Sequence, residues 1–113
     1  MVNRVTLLGR LTADPELRTT SAGTQVANLR LATNEFNGKD EEGARREHTE
    51  FHSLVLFGRQ AEVASSYLRK GRLLFAEGRL RTRGWEGADG AKRQATEIMV
   101  DSFQMLERKE GDA

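Results

Sequence analysis

The sequence predicts an all-β fold with one short helix: a five-stranded Greek-key barrel with extended β-hairpins. Three observations carry this reading. Several β-rich segments alternate apolar and polar residues with a period of two. One segment alone, Gln60 to Lys70, switches to helical spacing. Finally, 113 residues with 37% apolar and 31% charged side chains suit a single domain with one core. That balance is too apolar for a disordered chain and too charged for a membrane protein.

The elements follow in chain order. Asn3 to Leu11 reads as a strand with Val5, Leu7 and Leu11 on one face. Gly9 between them signals a bend or a close backbone approach. Asp14-Pro15 and Ser21-Ala22-Gly23 are turn signals. Gln25 to Asn34 alternates weakly and reads as a second strand. Phe36 to Glu47 is polar and reads as an exposed loop or hairpin tip. Thr49 to Gly58 is the clearest strand. In the helical segment Ala61, Ala64 and Leu68 share a stripe, and Gly71 after Arg69-Lys70 predicts the stop. Leu73 to Arg83 and residues 94–106 are the last two strands, joined across a tight turn at Glu86 to Gly90. Strand-strand-strand-helix-strand, with a hairpin extension, is the order of an OB-fold, a barrel whose exposed face binds oligonucleotides or oligosaccharides. Residues 1–107 are therefore expected to form one OB-fold domain, and the polar residues 108–113 a disordered end.

Composition excludes several functions. No run of about 18 apolar residues is present, so no membrane helix is expected. Met1-Val2-Asn3-Arg4 opens no secretory signal, and a cytoplasmic protein is expected. Without cysteine there are no disulfides, thiolate metal sites or cysteine nucleophiles. Phosphate-loop, dinucleotide and nucleophile-elbow motifs are all missing. No enzyme and no cofactor is expected. His48-Thr-Glu-Phe-His52 places two histidines and Glu50 on one strand face, which could make a metal triad. The spacing differs from the helical zinc motif, and the residues read as a polar strand with the histidines in contacts, so no metal site is expected.

Charge is the positive signal. The net charge of +1 hides a basic middle: Arg59 to Arg93 holds nine basic residues against four acidic. Arg outnumbers Lys, and guanidiniums bind phosphate oxygens and stack on bases. Arg79, Arg81, Arg83 and Trp85 fall on one face of an extended segment. On the Thr49–Gly58 strand, His52, Leu54 and Leu56 share one face and Phe51, Ser53, Val55 and Phe57 the other. If the leucines enter the barrel, Phe51 and Phe57 lie outside. A basic row with exposed rings is what a sequence-tolerant single-strand groove requires. The alternatives are a tryptophan packed under arginine stems and a second face buried in a subunit contact.

These residues also carry a family resemblance. Asn3-Arg-Val-Thr-Leu-Leu-Gly-Arg-Leu11, Asp14-Pro-Glu-Leu-Arg18, Thr49-Glu-Phe-His52, Val55-Leu-Phe-Gly58, Tyr67-Leu-Arg-Lys-Gly71 and Glu77-Gly-Arg-Leu-Arg-Thr-Arg83 run in order across nearly the whole chain. With Trp85 they resemble the bacterial single-stranded DNA-binding proteins, the OB-fold type of replication and repair. The resemblance implies a non-catalytic homotetramer, a dimer of dimers, or a homodimer, that wraps and protects single-stranded DNA in replication, recombination and repair, near the nucleoid. It places base-stacking aromatics at Phe51, Phe57 and Trp85, with Phe51 where a tryptophan is common, and a further one at Phe36. It places backbone contacts at Arg4, Arg18, Arg59, Arg69, Lys70, Arg81 and Arg83, and a subunit contact at His52. The family's long acidic-tipped tail does not follow Lys109-Glu-Gly-Asp-Ala113, so a tail-less or truncated form is expected, without tail-mediated recruitment of repair enzymes. A different class, an OB-fold adaptor of replication restart, would share the fold but lack the stacking rings.

Overall fold

A computed structural model describes residues 1–107; the predicted disordered end at 108–113 lies outside the described residues. The chain runs β1 (Val5–Leu11), β2 (Glu16–Thr19), β3 (Gln25–Lys39), β4 (Arg45–Phe57), α1 (Arg59–Tyr67), β5 (Leu73–Glu86) and β6 (Lys92–Met105). The sheet order is β1-β5-β6-β4-β3-β2, and β1 also pairs with β3 at Arg10 and Leu11. That second pairing closes β1, β3, β4, β6 and β5 into a five-stranded barrel. β4 and β6 run parallel, and the other neighbours antiparallel. This is the predicted barrel with its single helix.

Alternation decides what fills it. Leu29 and Leu31 of β3, Leu54 and Leu56 of β4, Leu74 and Ala76 of β5 and Ile98 of β6 point inward and form the core. Val5 and Leu7 pack against them. The fully buried Ala61, Ala64 and Leu68 bring the helix onto that cluster. Each fully buried leucine contributes roughly 1.5–3 kcal/mol of hydrophobic stabilisation. Gly9 behaves as predicted: a Cβ there would sit 2.2 Å from the Ala32 carbonyl oxygen, where β1 crosses β3.

Four local readings are corrected. β2 forms between the two predicted turns, where its four exposed residues gave no alternation signal; pairing with β3 alone makes it a strand. The segment from Phe36 to Glu47 is not a loop throughout. β3 continues to Lys39 and β4 starts at Arg45, so only the Asp40–Ala44 tip turns. There the Asp40 carboxylate accepts the amides of Glu42 and Ala44, both at 2.9 Å. The helix stops at Tyr67, before the predicted Lys70. Leu68 turns into the core, and the Arg69 side chain donates to the Ser65 and Leu68 carbonyls at 2.8 and 2.6 Å, satisfying groups the helix end leaves open. β5 and β6 also run longer than predicted, so Trp85 lies inside a paired arm.

Candidate nucleic-acid interface

Residues directly opposite one another on paired strands point to the same side of a sheet. The strand registers therefore assemble the barrel's outer wall. Arg18 lies opposite Val26, which lies opposite Phe57. Asn28 lies opposite Val55, Val55 beside Met99, and Met99 opposite Arg79. Arg30 faces Ser53, and Ala32 faces Phe51. Arg81 faces Glu97 and Trp85 faces Arg93. The wall is thus continuous across β2, β3, β4, β6 and β5. A small second apolar cluster of Val26, Val55 and Met99 stiffens its centre. A groove of about 330 Å³ crosses it, lined by Asp14, Asn28, Arg30, Ser53, Arg83 and Glu97 among others.

The large rings remain in solvent. Phe51 is 53% exposed and Trp85 41%, and Phe36 and Phe57 are exposed as well. Burying none of them in the core is unfavourable for the isolated chain, so an exposed set on one wall points to a ligand with apolar faces. Three of the four rings carry a guanidinium: Arg30 at 5.6 Å from Phe51, Arg45 at 4.6 Å from Phe36, and Arg83 at 4.7 Å from Trp85. Arg30 also donates to the Ser53 hydroxyl at 3.1 Å. Exposed rings and guanidiniums thus share one surface, an arrangement suited to stacking and to anion contacts.

A family model described as the single-strand binding protein family matches residues 2–106. This chain belongs to that family. Its fold superimposes on a Plasmodium falciparum SSB in complex with ssDNA with a TM-score of 0.84, at 29% identity, covering 95% of this chain and 97% of that one. It also matches a deletion mutant of the single-stranded DNA binding protein from Thermus aquaticus, with a TM-score of 0.79 at 40% identity. That match covers 94% of this chain and 51% of the Thermus chain.

Within the family member described here, the predicted site residues divide. Phe51, Phe57, Trp85, Arg18, Arg81 and Arg83 share the outer wall. By alternation along β3, Phe36 joins it further out on the β3–β4 arm, opposite Glu47. Arg4, Arg59, Arg69 and Lys70 stand on other elements. Arg4 lies near Glu77 and Asp101, at 3.4 and 3.5 Å. Arg59 opens the helix, 3.4 Å from Glu62. Arg69 caps the helix end, and the Lys70 amide donates to Asp14. His52 points the other way from Phe51 and shares a 2.8 Å hydrogen bond with Thr33. His48 and Glu50 bond to each other at 2.7 Å, and among the described residues no cluster of three such groups could hold a metal ion.

Three wall residues escaped the sequence reading: Arg30, Arg45 and Glu97. Arg30 had a signal, since it sits between the core residues Leu29 and Leu31 and must face outward. Arg45 had none, because its segment read as loop. Glu97 is the one buried charged residue among those described, 7% exposed, and accepts from Arg83 Nε at 2.9 Å with Arg81 at 3.6 Å. Nothing in a sequence ending a polar hairpin announces a buried carboxylate.

Proposed function

We propose that this chain binds single-stranded DNA without sequence preference and protects it during replication, recombination and repair. The observation that carries the reading is the single wall on which Phe51, Phe57 and Trp85 remain exposed among arginines. Bases stack on these rings, with Phe36 extending the path along the β3–β4 arm. Phosphates meet Arg4, Arg18, Arg59, Arg69 and Lys70 around the wall, and Arg81 and Arg83 line the β5–β6 arm. Base faces and phosphates are common to all sequences, so recognition is sequence-tolerant and weakens with salt. The work is binding and needs no cofactor. Residues 1–107 form the DNA-binding unit.

The same reading includes self-association, as a homotetramer built as a dimer of dimers or as a homodimer, with His52 at a subunit contact. β1 supports it: pairing with β3 covers only Arg10 and Leu11, which leaves the edge from Val5 to Gly9 open beside the exposed Leu8. Among the described residues no helix is long and apolar enough to cross a membrane. As part of the same reading we place the protein in the cytoplasm, at the nucleoid.

The test uses the chain's single tryptophan. Titration with oligo(dT) should quench Trp85 fluorescence strongly at low salt, with affinity falling as salt rises. Absence of quenching and of binding at any salt would refute the reading and favour a protein adaptor.

A further inference from the structure

The wall that attracts a polyanion also carries a buried carboxylate. Glu97 lies on β6 opposite Arg81, with both arginines engaged at the same oxygen, Oε1: Arg83 Nε at 2.9 Å and Arg81 Nη2 at 3.6 Å. A negative charge beside a phosphate path opposes binding, and a buried charge persists only where its partners satisfy it. What it does for the site is visible one residue pair further out. Arg83 and Trp85 alternate onto the same side of β5, and the Arg83 guanidinium rests 4.7 Å from the Trp85 ring. Donating Nε–H to a carboxylate fixed in the barrel wall sets the guanidinium plane. One face of the indole is thereby covered, and the other is presented.

Resting on the reading that this wall binds single-stranded DNA, we propose that Glu97 is a positioning residue for that binding. It commits Arg83 to the Trp85 platform and holds Arg81 and Arg83 back from phosphate. The chain Glu97–Arg83–Trp85 therefore sets the division between stacking and phosphate neutralisation on the β5–β6 arm. The other two covered rings lack such an anchor. Arg30 is tied to a neutral hydroxyl, and Arg45 lies 3.5 Å from Glu47, where both side chains are exposed.

The test is the full chain with oligo(dT), reading affinity against salt and Trp85 fluorescence together. Glu97→Gln keeps shape and one acceptor but removes the charge. The expected result is a log–log salt slope steeper by about 0.7 for each arginine released to a phosphate. Quenching of Trp85 at saturation should fall, and so should its anisotropy in the free protein. Arg83→Lys keeps the charge without the planar fork, and should lower the quenching while leaving the slope near wild type. Weaker binding of Glu97→Gln with an unchanged slope and a lowered melting temperature would make Glu97 merely structural and overturn the proposal. So would wild-type slope and quenching in both variants. Wild-type protein that fails to bind at all would instead overturn the binding reading itself.

Discussion

The two hairpin arms extend from the same barrel and each presents an aromatic ring under an arginine, yet they are built differently. On the β5–β6 arm, Arg83 is anchored to a carboxylate that the barrel wall buries, and Trp85 follows two residues later. On the β3–β4 arm, Arg45 covers Phe36 beyond a register shift between Phe36 and Lys39, and its acid neighbour Glu47 is exposed. Exposed ion pairs contribute about 0–1 kcal/mol and are screened by salt. If both rings stack on bases as proposed, a ring held by a chain of bonds that starts in the barrel should be oriented before DNA arrives, and one at the end of an exposed ribbon ordered on binding. Ordering an immobilised side chain at an interface costs about 0.5–1.5 kcal/mol. The arms should therefore differ in what their rings contribute.

The largest expected effect is at the root of the β5–β6 arm. Gly78 sits at the irregularity where β5 leaves the barrel, and a Cβ there would stand 2.1 Å from the Met99 carbonyl oxygen. Backbone must move to admit it. Gly78→Ala should lower folding stability by at least about 1–3 kcal/mol, measured by denaturant unfolding. A variant as stable as wild type would mean the arm is not fixed by this crossing.

Next comes the platform. Trp85→Ala should weaken binding to oligo(dT) by about 1–3 kcal/mol, measured by anisotropy of a labelled oligonucleotide, with the melting temperature nearly unchanged. Phe36→Ala, measured in the same way, should cost less than about 1 kcal/mol, because ordering of the exposed arm offsets part of the stacking gain. Equal losses at Phe36 and Trp85 would erase the distinction between the arms.

The arms also show where the sequence was legible. The barrel was, because Leu54 and Leu56, alternating with Ser53, Val55 and Phe57, enforce a period of two that the full burial of both leucines then bears out. The same alternation placed Phe51, Phe57 and Trp85 outside. β2 and the outer half of β3 were not legible, since strands made of exposed residues are specified by their partner's hydrogen bonds and not by a buried face. Glu97 was hidden for a related reason. It lines a groove together with residues of β3, β4 and β5, and a carboxylate between threonine and isoleucine reads as solvent-facing until its register with Arg81 and its bond from Arg83 are known.

The smallest effect sharpens the contrast on the β3–β4 arm by acidity. Glu50 lies beside Phe51 in sequence but on the other side of the ribbon, and its carboxylate takes a 2.7 Å hydrogen bond from His48. That hydrogen bond first, and the attraction of the His48 charge second, hold the Glu50 carboxyl below its ordinary value of 4.5. A carboxyl whose pKa is depressed in the folded state favours that state above its ordinary pKa, and the contribution disappears as pH falls through the folded value. The contribution of the Glu50 carboxylate is then lost only in the window below 4.5. Both side chains are more than half exposed, so the global unfolding curve should hardly register the loss. A carbon-detected NMR titration reads it directly. The Glu50 carboxyl midpoint should fall below 4.5 in the wild-type chain and return toward it in His48→Ala. Identical midpoints in the two proteins would show that the exposed arm keeps no fixed ion pair in solution, which would widen the gap between it and the anchored arm.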